Sequence, residues 1–308
     1  MQLELLPRDL SAYRDGNTGV PYVHRFHSGE PGPHVLINAL THGNEFCGMV
    51  ACTHLLDTGV RPLRGTLTVS FANVAAYESF DPAEPLKSRQ LVHNLNRIWS
   101  REWLEGDEDS PELQRARELA PVVAAADHVL DIHSTSTAVQ PFWVYPERAA
   151  NSAAALAIGH PQVHLVMPEG LGSGTPLIQH GRLSNRMHPG AALVVECGGH
   201  FLRQTGECAV AVTTAFLAHL GLLAPAPSAA AAAPALRYRL LRTCVIQTPH
   251  WRFVRPLVGF EVFARDALIS WDGDTEIRSP CDGCTVLMPT QNPVVGREGV
   301  YLTEPMAG

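Results

Sequence analysis

Two polar residues three positions apart are spaced to bind one metal ion. His42 and Glu45 lie in the segment Thr41-His42-Gly43-Asn44-Glu45, after an apolar run at residues 35–37 and at the start of a helical pattern. An imidazole nitrogen and a carboxylate oxygen in a turn that leaves a strand can reach the same ion, and both are standard zinc donors. Spacings this short recur by chance, so two ordinary polar turn residues are the alternative interpretation.

Two further candidates follow buried strand patterns later in the chain. His133 comes directly after residues 128–132, and Glu196 ends the apolar strand at residues 193–195. In open α/β sheets, ligands bind beyond the carboxyl ends of the strands, so these positions can meet in one crevice. His133 would complete a set of two histidines and one carboxylate for one zinc ion per chain, with a fourth position left for water. Glu196 is then a spare carboxylate that can take a proton from that water.

Arginines lie between and beside these positions. Arg89 and the run Asn94-Leu95-Asn96-Arg97 occur in a polar segment with little periodicity, and Arg186 lies in the turn before the strand that ends in Glu196. A guanidinium is always charged and binds a carboxylate through two parallel hydrogen bonds. Each arginine alone could be a solvated surface group. Their positions beside the zinc candidates favour recognition of an anionic substrate.

The elements that must position these residues alternate between strand and helix patterns. Such alternation predicts an α/β fold with a mixed, largely parallel sheet and helices on both faces. The predicted strands are Leu3–Leu6, Val20–Phe26, His34–Ala39, Gly65–Ala72, His128–Ile132, Phe142–Tyr145, Gln162–Val166 and Ala191–Val195. The predicted helices are Glu45–Leu56, Glu112–Ala126, an alanine-rich helix after residue 148, and Gly206–Leu223.

The character of the sequence changes near residue 225. Residues 225–234 are rich in alanine and proline, which predicts a linker. Residues 235–308 show strand alternation, turn signals and no helical period, so they predict a small all-β domain. We therefore expect a zinc-dependent catalytic domain at 1–224 and a β-rich C-terminal domain at 235–308.

Bulk composition excludes several classes of protein. The 308 residues carry a net charge of −7, which argues against nucleic acid as a partner. The sequence shows no basic, apolar leader and no apolar run long enough to span a membrane. The seven cysteines are scattered and odd in number, which predicts reduced thiols in the cytoplasm.

Four short motifs together resemble the succinylglutamate desuccinylase and aspartoacylase family, a branch of the zinc carboxypeptidase-like fold. They appear in family order over most of residues 34–200, and the β-rich segment also resembles the family's C-terminal domain. The combination is specific, although each piece alone is weak. The motifs are Thr41-His42-Gly43-Asn44-Glu45 with Gly48, Asn94-Leu95-Asn96-Arg97, Asp131-Ile132-His133-Ser134, and Val195-Glu196-Cys197-Gly198.

The resemblance implies a role for each candidate residue. It implies zinc ligands at His42, Glu45 and His133, a general base at Glu196, a carbonyl-polarising arginine at Arg89, a substrate-carboxylate pair at Asn96 and Arg97, and an arginine for a second substrate carboxylate at Arg186. Three positions depart from the family or are not securely aligned. Asn94 stands where an aspartate is usual, Arg182 replaces an aromatic hydroxyl, and Tyr301 is the nearest candidate for the tyrosine that closes the pocket in aspartoacylases.

The implied function is zinc-dependent hydrolysis of the amide bond of an N-succinyl- or N-acetyl-amino acid. A zinc carboxypeptidase acting on short peptides is the alternative enzyme, because the same groups can bind a terminal carboxylate. A zinc-binding protein without catalysis is a second class. Which acyl group and amino acid are bound, whether the chain forms homo-oligomers, and whether the β-rich domain caps the pocket all stay open.

Other residues carry weaker signals. Cys281-Asp282-Gly283-Cys284 is interpreted as a hairpin turn because no second cysteine pair follows it. Cys197 is interpreted as a small apolar residue of a buried strand. The glycine-rich segment 170–174 lacks the residues of a phosphate loop and is interpreted as a rim of the pocket. Of the remaining histidines, His200 is the one to test because it follows Glu196 closely.

Overall fold

The secondary structure follows the predicted alternation. The computed structural model describes residues 3–168, 174–225 and 234–306. The strands are β1 (Val23–His27), β2 (His34–Ala39), β3 (Thr66–Phe71), β4 (His128–Thr135), β5 (Phe142–Pro146), β6 (Val163–Met167), β7 (Ala192–Gly199), β8 (Leu236–Val245), β9 (Trp251–Phe253), β10 (Val262–Phe263), β11 (Leu268–Asp272), β12 (Thr275–Arg278), β13 (Cys284–Leu287) and β14 (Glu298–Pro305). The helices are α1 (Phe46–Asp57), α2 (Val74–Glu78), α3 (Arg101–Glu105), α4 (Pro111–Ala125), α5 (Ala149–Ile158) and α6 (Arg203–His219), with short 3-10 helices at Ser11–Tyr13, Lys87–Arg89, Leu177–Gln179 and Gly181–Ser184.

Eleven of the described strands form one mixed sheet, in the order β1-β3-β2-β4-β7-β5-β6-β8-β14-β13-β10. The central strands β3, β2, β4 and β7 are parallel to one another, and β5 and β6 are parallel to each other. Strand β5 runs antiparallel to β7, and β1 runs antiparallel to β3. The predicted α/β class is therefore confirmed, with a parallel centre whose carboxyl ends all point to one edge.

Both faces of the central sheet are buried, which explains the nearly continuous apolar runs of its strands. Val35 and Ile37 of β2 pack with helices α1 and α6 on one face. Leu36, between them, belongs to the core under α4 on the other face. Because successive side chains of a strand point to opposite faces, the alternation also decides which polar residues of β4 and β7 share a face.

Helix α4 begins as the sequence predicts and also supports the irregular segment. Ser110 accepts a hydrogen bond from the Leu113 amide, and Pro111 occupies the first helical turn. The buried carboxylate of Glu112 accepts the backbone N–H groups of residues 91–93, with oxygen–nitrogen distances of 2.6–3.2 Å. The buried Glu112 carboxylate therefore holds in place the segment that carries Arg89 and Asn94.

Two sequence-based expectations are corrected. The strand predicted at Leu3–Leu6 is wrong, because this segment instead donates its Glu4 and Leu5 amides to the Phe201 carbonyl. Strands β4 and β7 extend past residues 132 and 195, so that His133 and Glu196 lie inside strands and not after them. The apolar pattern that predicted the ends of these strands stops at residues 132 and 195. The backbone hydrogen bonds of β4 and β7 continue beyond those residues.

The C-terminal segment is all-β over its described residues, as expected. Strand β8 pairs in parallel with β6, so that β8, β14, β13 and β10 extend the sheet of the preceding segment. Strands β12, β11 and β9 form a separate small sheet. The division into domains at 1–224 and 235–308 stays a prediction, and most of the predicted linker (226–233) lies outside the described residues. Within the described ranges, no helix has the length and apolar character needed to cross a membrane.

Candidate metal centre and active site

The turn between β2 and α1 places His42 and Glu45 at the carboxyl edge of the sheet. Glu45 is the residue immediately before α1, and both side chains are buried. A Cβ atom at Gly43 would collide with backbone atoms of Ala76 and Ser88, so that only glycine fits this close approach. The Gly43 amide also donates to the Arg89 carbonyl at 3.1 Å. The turn is thus held against the segment that carries Arg89.

His42, Glu45 and His133 converge on one point. One ligand atom from each lies within 4.8 Å of the other two, and all three residues are buried. The Glu45 carboxylate faces both rings, with Oε1 at 2.8 Å from His42 Nδ1 and Oε2 at 2.8 Å from His133 Nδ1. The three residues that the sequence brought together as zinc candidates are therefore neighbours in the structure.

The outer side of each ring has a hydrogen-bond acceptor. His133 Nε2 lies 2.8 Å from Asp131 Oδ2, and His42 Nε2 lies 2.9 Å from Asn94 Oδ1. The same Asn94 oxygen accepts the Asn96 amide at 2.9 Å, which fixes the orientation of the side-chain amide. An acceptor beside each Nε2 favours a proton on that nitrogen, so that in a neutral ring the Nδ1 atom would turn its lone pair towards the Glu45 carboxylate.

This arrangement fits a bound cation. The Nδ1 atoms of His42 and His133 each lie 2.8 Å from an oxygen of the Glu45 carboxylate, and either a proton or a metal ion can satisfy each of these close approaches. Burial lowers the pKa of His133, but Asp131 and Glu45 raise it more, so that its pKa lies well above the usual value. Burial lowers the pKa of His42 to about 4. The donor types and the outer hydrogen bonds are those of a zinc site with oriented histidine ligands.

A second hydrogen-bonded layer holds Asp131 in place. Its Oδ1 atom accepts from Asn38 Nδ2 and from Thr41 Oγ1, each at 2.8 Å. Asn38 Oδ1 in turn accepts the Ser70 hydroxyl at 2.5 Å. Sequence reasoning quoted Asp131 in a motif but gave it no role. Its position two residues before His133 in a strand, hence on the same face, was the available signal.

Glu196 lies directly beside this cluster. It is paired in register with His133 across the parallel strands β4 and β7, so that both side chains project from the same face. Its Oε2 atom is buried and has no hydrogen-bond partner among the described residues. Burial raises the pKa of Glu196 to about 8. In its ionised form, this carboxylate with one unsatisfied buried oxygen beside the His-Glu-His cluster can accept a proton from a water molecule.

Arg89 contacts the cluster, and Arg97 lies further along the same segment. Arg89 Nη1 donates to Glu45 Oε1 at 2.9 Å, and its side chain is about one-third exposed (31%). Arg97 is held by Glu298 of β14, whose Oε1 accepts from Nη2 at 2.9 Å and from Nε at 3.2 Å. Asn96 Oδ1 accepts the Leu177 amide at 3.1 Å. The two predicted substrate-binding residues, Asn96 and Arg97, are therefore integrated into the surrounding structure.

Strand β14 brings the C-terminal segment to the site. Tyr301 is buried, and burial raises its pKa to about 12. The charges of Glu298 and Glu196 also raise this pKa, whereas those of Arg97 and Arg89 lower it. These charges lie close enough to act on one phenol. The pairing of β14 with β8, and of β8 with β6, is what carries Tyr301 to this position. Sequence reasoning named Tyr301 as a candidate and missed Glu298.

Arg186 is not brought to the site. It is exposed and lies before the amino end of β7, whereas Glu196 is near the carboxyl end. Its neighbour Asn185 accepts a hydrogen bond from Arg148, which precedes α5 at the opposite edge of the sheet. Arg186 was predicted in the turn before the strand of Glu196 and at the rim of the same site. The turn is at the amino end of β7, so the extended strand separates Arg186 from Glu196.

His200 lies beside the His-Glu-His cluster. Its Nδ1 atom is 2.7 Å from Ser134 Oγ, and the Ser134 amide donates to Glu45 Oε2 at 3.2 Å. Burial lowers the pKa of His200 to about 4. His200 is thus linked to Glu45 through Ser134, which supports its choice as a residue to test. The glycine-rich segment expected at the rim falls largely on residues 169–173, which lie outside the described residues.

The fold and the site define an α/β protein with a buried His-Glu-His cluster and an adjacent carboxylate at the carboxyl edge of its parallel strands. A family model, the succinylglutamate desuccinylase/aspartoacylase catalytic domain, matches residues 31–199, which is more than half of the chain. The chain belongs to this family. A search of curated proteins gave no match.

Solved structures share the fold over nearly the whole chain. Succinylglutamate desuccinylase from Vibrio parahaemolyticus has a TM-score of 0.70 at 20% identity, covering 93% of this chain and 87% of that one. The Vibrio cholerae desuccinylase has a TM-score of 0.72 at 16% identity, covering 93% and 86%. The ectoine utilization protein from Ruegeria pomeroyi has a TM-score of 0.64 at 18% identity, covering 92% and 88%.

Proposed function

We propose that this protein is a zinc-dependent amidohydrolase that removes the acyl group, succinyl or acetyl, from an N-acyl amino acid. One observation carries the proposal. The Nδ1 atoms of His42 and His133 each lie 2.8 Å from the Glu45 carboxylate, and Glu196, which pairs in register with His133, has no partner among the described residues for its Oε2 atom. Membership of the desuccinylase/aspartoacylase family supports the same chemistry.

His42, Glu45 and His133 would hold one zinc ion, with Asn94 and Asp131 fixing the two rings. When bound, zinc polarises the scissile carbonyl and lowers the pKa of the attacking water. Side chains of the protein itself carry out the proton transfer and the binding of the substrate.

Glu196 is the proton carrier of the proposed reaction. Its buried carboxylate accepts a proton as water attacks the amide carbon, and returns that proton to the leaving amine. Arg89 has five N–H donors, so it can hold Glu45 and also donate to the oxygen that gains negative charge. Desolvation at this buried edge of the sheet strengthens both interactions.

Recognition of the substrate is assigned to the cluster around Arg97. The Arg97 guanidinium lies beside Tyr301 and Glu298, and a carboxylate of the amino acid would bind Arg97 and Asn96 in this proposal. Such contacts orient the amide towards Glu196, and orientation contributes to the rate. Arg186 has no part in this proposal because of its position at the other edge of the sheet. Cytoplasmic location and self-association stay predictions.

The test is a substrate screen with the zinc-loaded full-length enzyme. N-acetyl and N-succinyl amino acids are compared with dipeptides of the same C-terminal residue, and the released amine is quantified. Release from the N-acyl amino acids, abolished by a chelator and restored by zinc, is the expected result. Hydrolysis of the dipeptides alone would replace the proposal with carboxypeptidase activity. Zinc binding without turnover on either set would contradict hydrolysis altogether.

A further inference from the structure

A cluster of three thiols and one histidine lies on the face of β7 opposite to Glu196. Cys197 follows Glu196 in β7 and points into the core under α1 and α6, where its thiol interacts with Cys47 and with Cys208. Cys208 lies in the second turn of α6 and also interacts with the ring of His160. None of these thiols takes part in the proposed hydrolysis.

Two of the thiols open onto one cavity. A cavity of about 440 Å³ is lined by Cys197, Cys208 and His160, together with Gln204 and the loop at residues 138–141. Cys208 is half-buried, whereas Cys197 is buried. A small reactant that enters the cavity therefore meets Cys208 with Cys197 directly behind it.

The surroundings of Cys208 favour its thiolate. The hydrogen bond with Cys197 lowers the pKa of Cys208 to about 6, burial opposes this shift, and the hydrogen bond with His160 adds to it. The same interaction raises the pKa of His160. Burial raises the pKa of Cys197 well above its usual value. One thiol of the pair is thus suited to attack and the other to remain protonated until it is needed.

We propose that Cys208 is a hydroperoxide-reactive thiol and that Cys197 resolves its oxidised form to an intramolecular disulfide. The Cys208 thiolate attacks one oxygen of the hydroperoxide, the O–O bond breaks, and the leaving alkoxide or hydroxide takes a proton from His160. The Cys208 sulfenic acid is then attacked by the Cys197 sulfur. The S–O bond breaks, and the oxygen leaves as water with the Cys197 proton. Two thiols and one hydroperoxide become one disulfide, one water and one alcohol or second water.

The disulfide would link α6 to the strand of the proposed base. Cys197 adjoins Glu196, and its other neighbour Cys47 donates from Sγ to the His133 carbonyl at 3.2 Å. Oxidation at the cavity would therefore withdraw the Cys197 sulfur from a contact that reaches the backbone of a proposed metal ligand. The proposal itself concerns thiol chemistry and does not depend on the proposed hydrolysis.

The experiment is a thiol map of the full-length, reduced protein after treatment with hydrogen peroxide. Remaining thiols are alkylated, and the peptides are identified by mass spectrometry before and after dithiothreitol. The expected result is a Cys197–Cys208 linked peptide, lighter by two hydrogens and separated by dithiothreitol. Cys208→Ser should abolish the link. Cys197→Ser keeps a hydrogen-bond donor beside Cys208 and should leave a sulfenic acid on Cys208 that dimedone labels; its folding is checked by thermal unfolding.

The matched control is Cys281→Ser. Cys281 is also half-buried and lies three residues from another cysteine, Cys284. Its replacement should leave the Cys197–Cys208 link unchanged. Preferential linking of Cys281 to Cys284 would overturn the proposal. The pH dependence of Cys208 alkylation is a second test. A midpoint near pH 6 is expected. A midpoint near roughly pH 8.5, as for an ordinary thiol, would also overturn the proposal.

Discussion

The two parts of the candidate site are built in opposite ways. On the side of the proposed metal ligands (the metal side), each residue has a supporting contact: Asp131 accepts from His133, Asn94 accepts from His42, and Ser134 donates to Glu45. On the base side, the Oε2 atom of Glu196 is buried with no partner among the described residues. An unsatisfied buried polar atom costs about 1–3 kcal/mol. The difference teaches that the fold supports the proposed cation site with its own hydrogen bonds, whereas the proposed base keeps one buried oxygen atom without a protein partner among the described residues.

A smaller asymmetry lies within the metal side. His133 has a charged outer partner, Asp131, which is itself held by Asn38 and Thr41. His42 has a neutral outer partner, the Asn94 amide. A carboxylate makes an imidazole a more basic ligand than an amide does. The two histidines should therefore contribute unequally to cation binding.

The largest expected effect is on the base side. Glu196→Gln keeps the size of the side chain but removes the proton acceptor, so kcat should fall by roughly 10²–10⁴-fold. Zinc content should be unchanged because the cluster does not use Glu196. Steady-state kinetics and metal analysis measure the two quantities, with the exposed Glu207→Gln as control. Turnover within a few-fold of the native rate would show that Glu196 is not the base.

The second effect is on the metal side. Asp131→Asn removes the charge behind His133, and we expect zinc affinity to weaken by about 10–100-fold. Titration against a competing chelator measures the affinity. Asp127→Asn is the control, because Asp127 precedes the same strand at its other end and accepts the His34 amide at 2.8 Å. Equal zinc affinities of the two variants would show that the Asp131 charge does not contribute to zinc binding.

The third effect concerns the substrate. Arg97→Lys keeps the charge but loses the planar fork, so KM for an N-acyl amino acid should rise by roughly tenfold while kcat changes less. Arg101→Lys is the control, since that arginine is exposed and paired with Glu105. An unchanged KM in the Arg97 variant would mean that the substrate carboxylate binds elsewhere.

The smallest effect should have the opposite sign. Asn94→Asp gives His42 the type of partner that His133 already has, and zinc affinity should tighten, by less than roughly tenfold. The same chelator titration measures it. Weaker zinc binding would mean that the Asn94 amide itself is needed beside His42. The difference between the partners of His42 and His133 would then not reflect the basicity of the two ligands.

Sequence reasoning recovered the parts of the site that short spacing and strand ends determine. His42 and Glu45 share one turn, and His133 and Glu196 occupy neighbouring parallel strands in register. Arg186 was predicted in the turn before the strand that ends in Glu196, and the structure confirms that order. Because the strand is extended, however, that turn lies at its amino end, away from Glu196 near its carboxyl end. Glu298 was missed because its contact with Arg97 depends on the pairing of β14, β8 and β6, which local patterns do not encode.

The parallel pairing of β6 with β8 has a consequence for the integrity of the protein. It joins the two segments into one continuous sheet through the backbone hydrogen bonds of Val163–Val166 and Leu236–Arg239. If the chain were cut at the linker and the β-rich part lost, β6 would become an open edge. Such an edge presents unpaired N–H and C=O groups to other molecules and promotes aggregation. By covering the edge of β6, the β-rich segment therefore also protects the protein from aggregation through that strand.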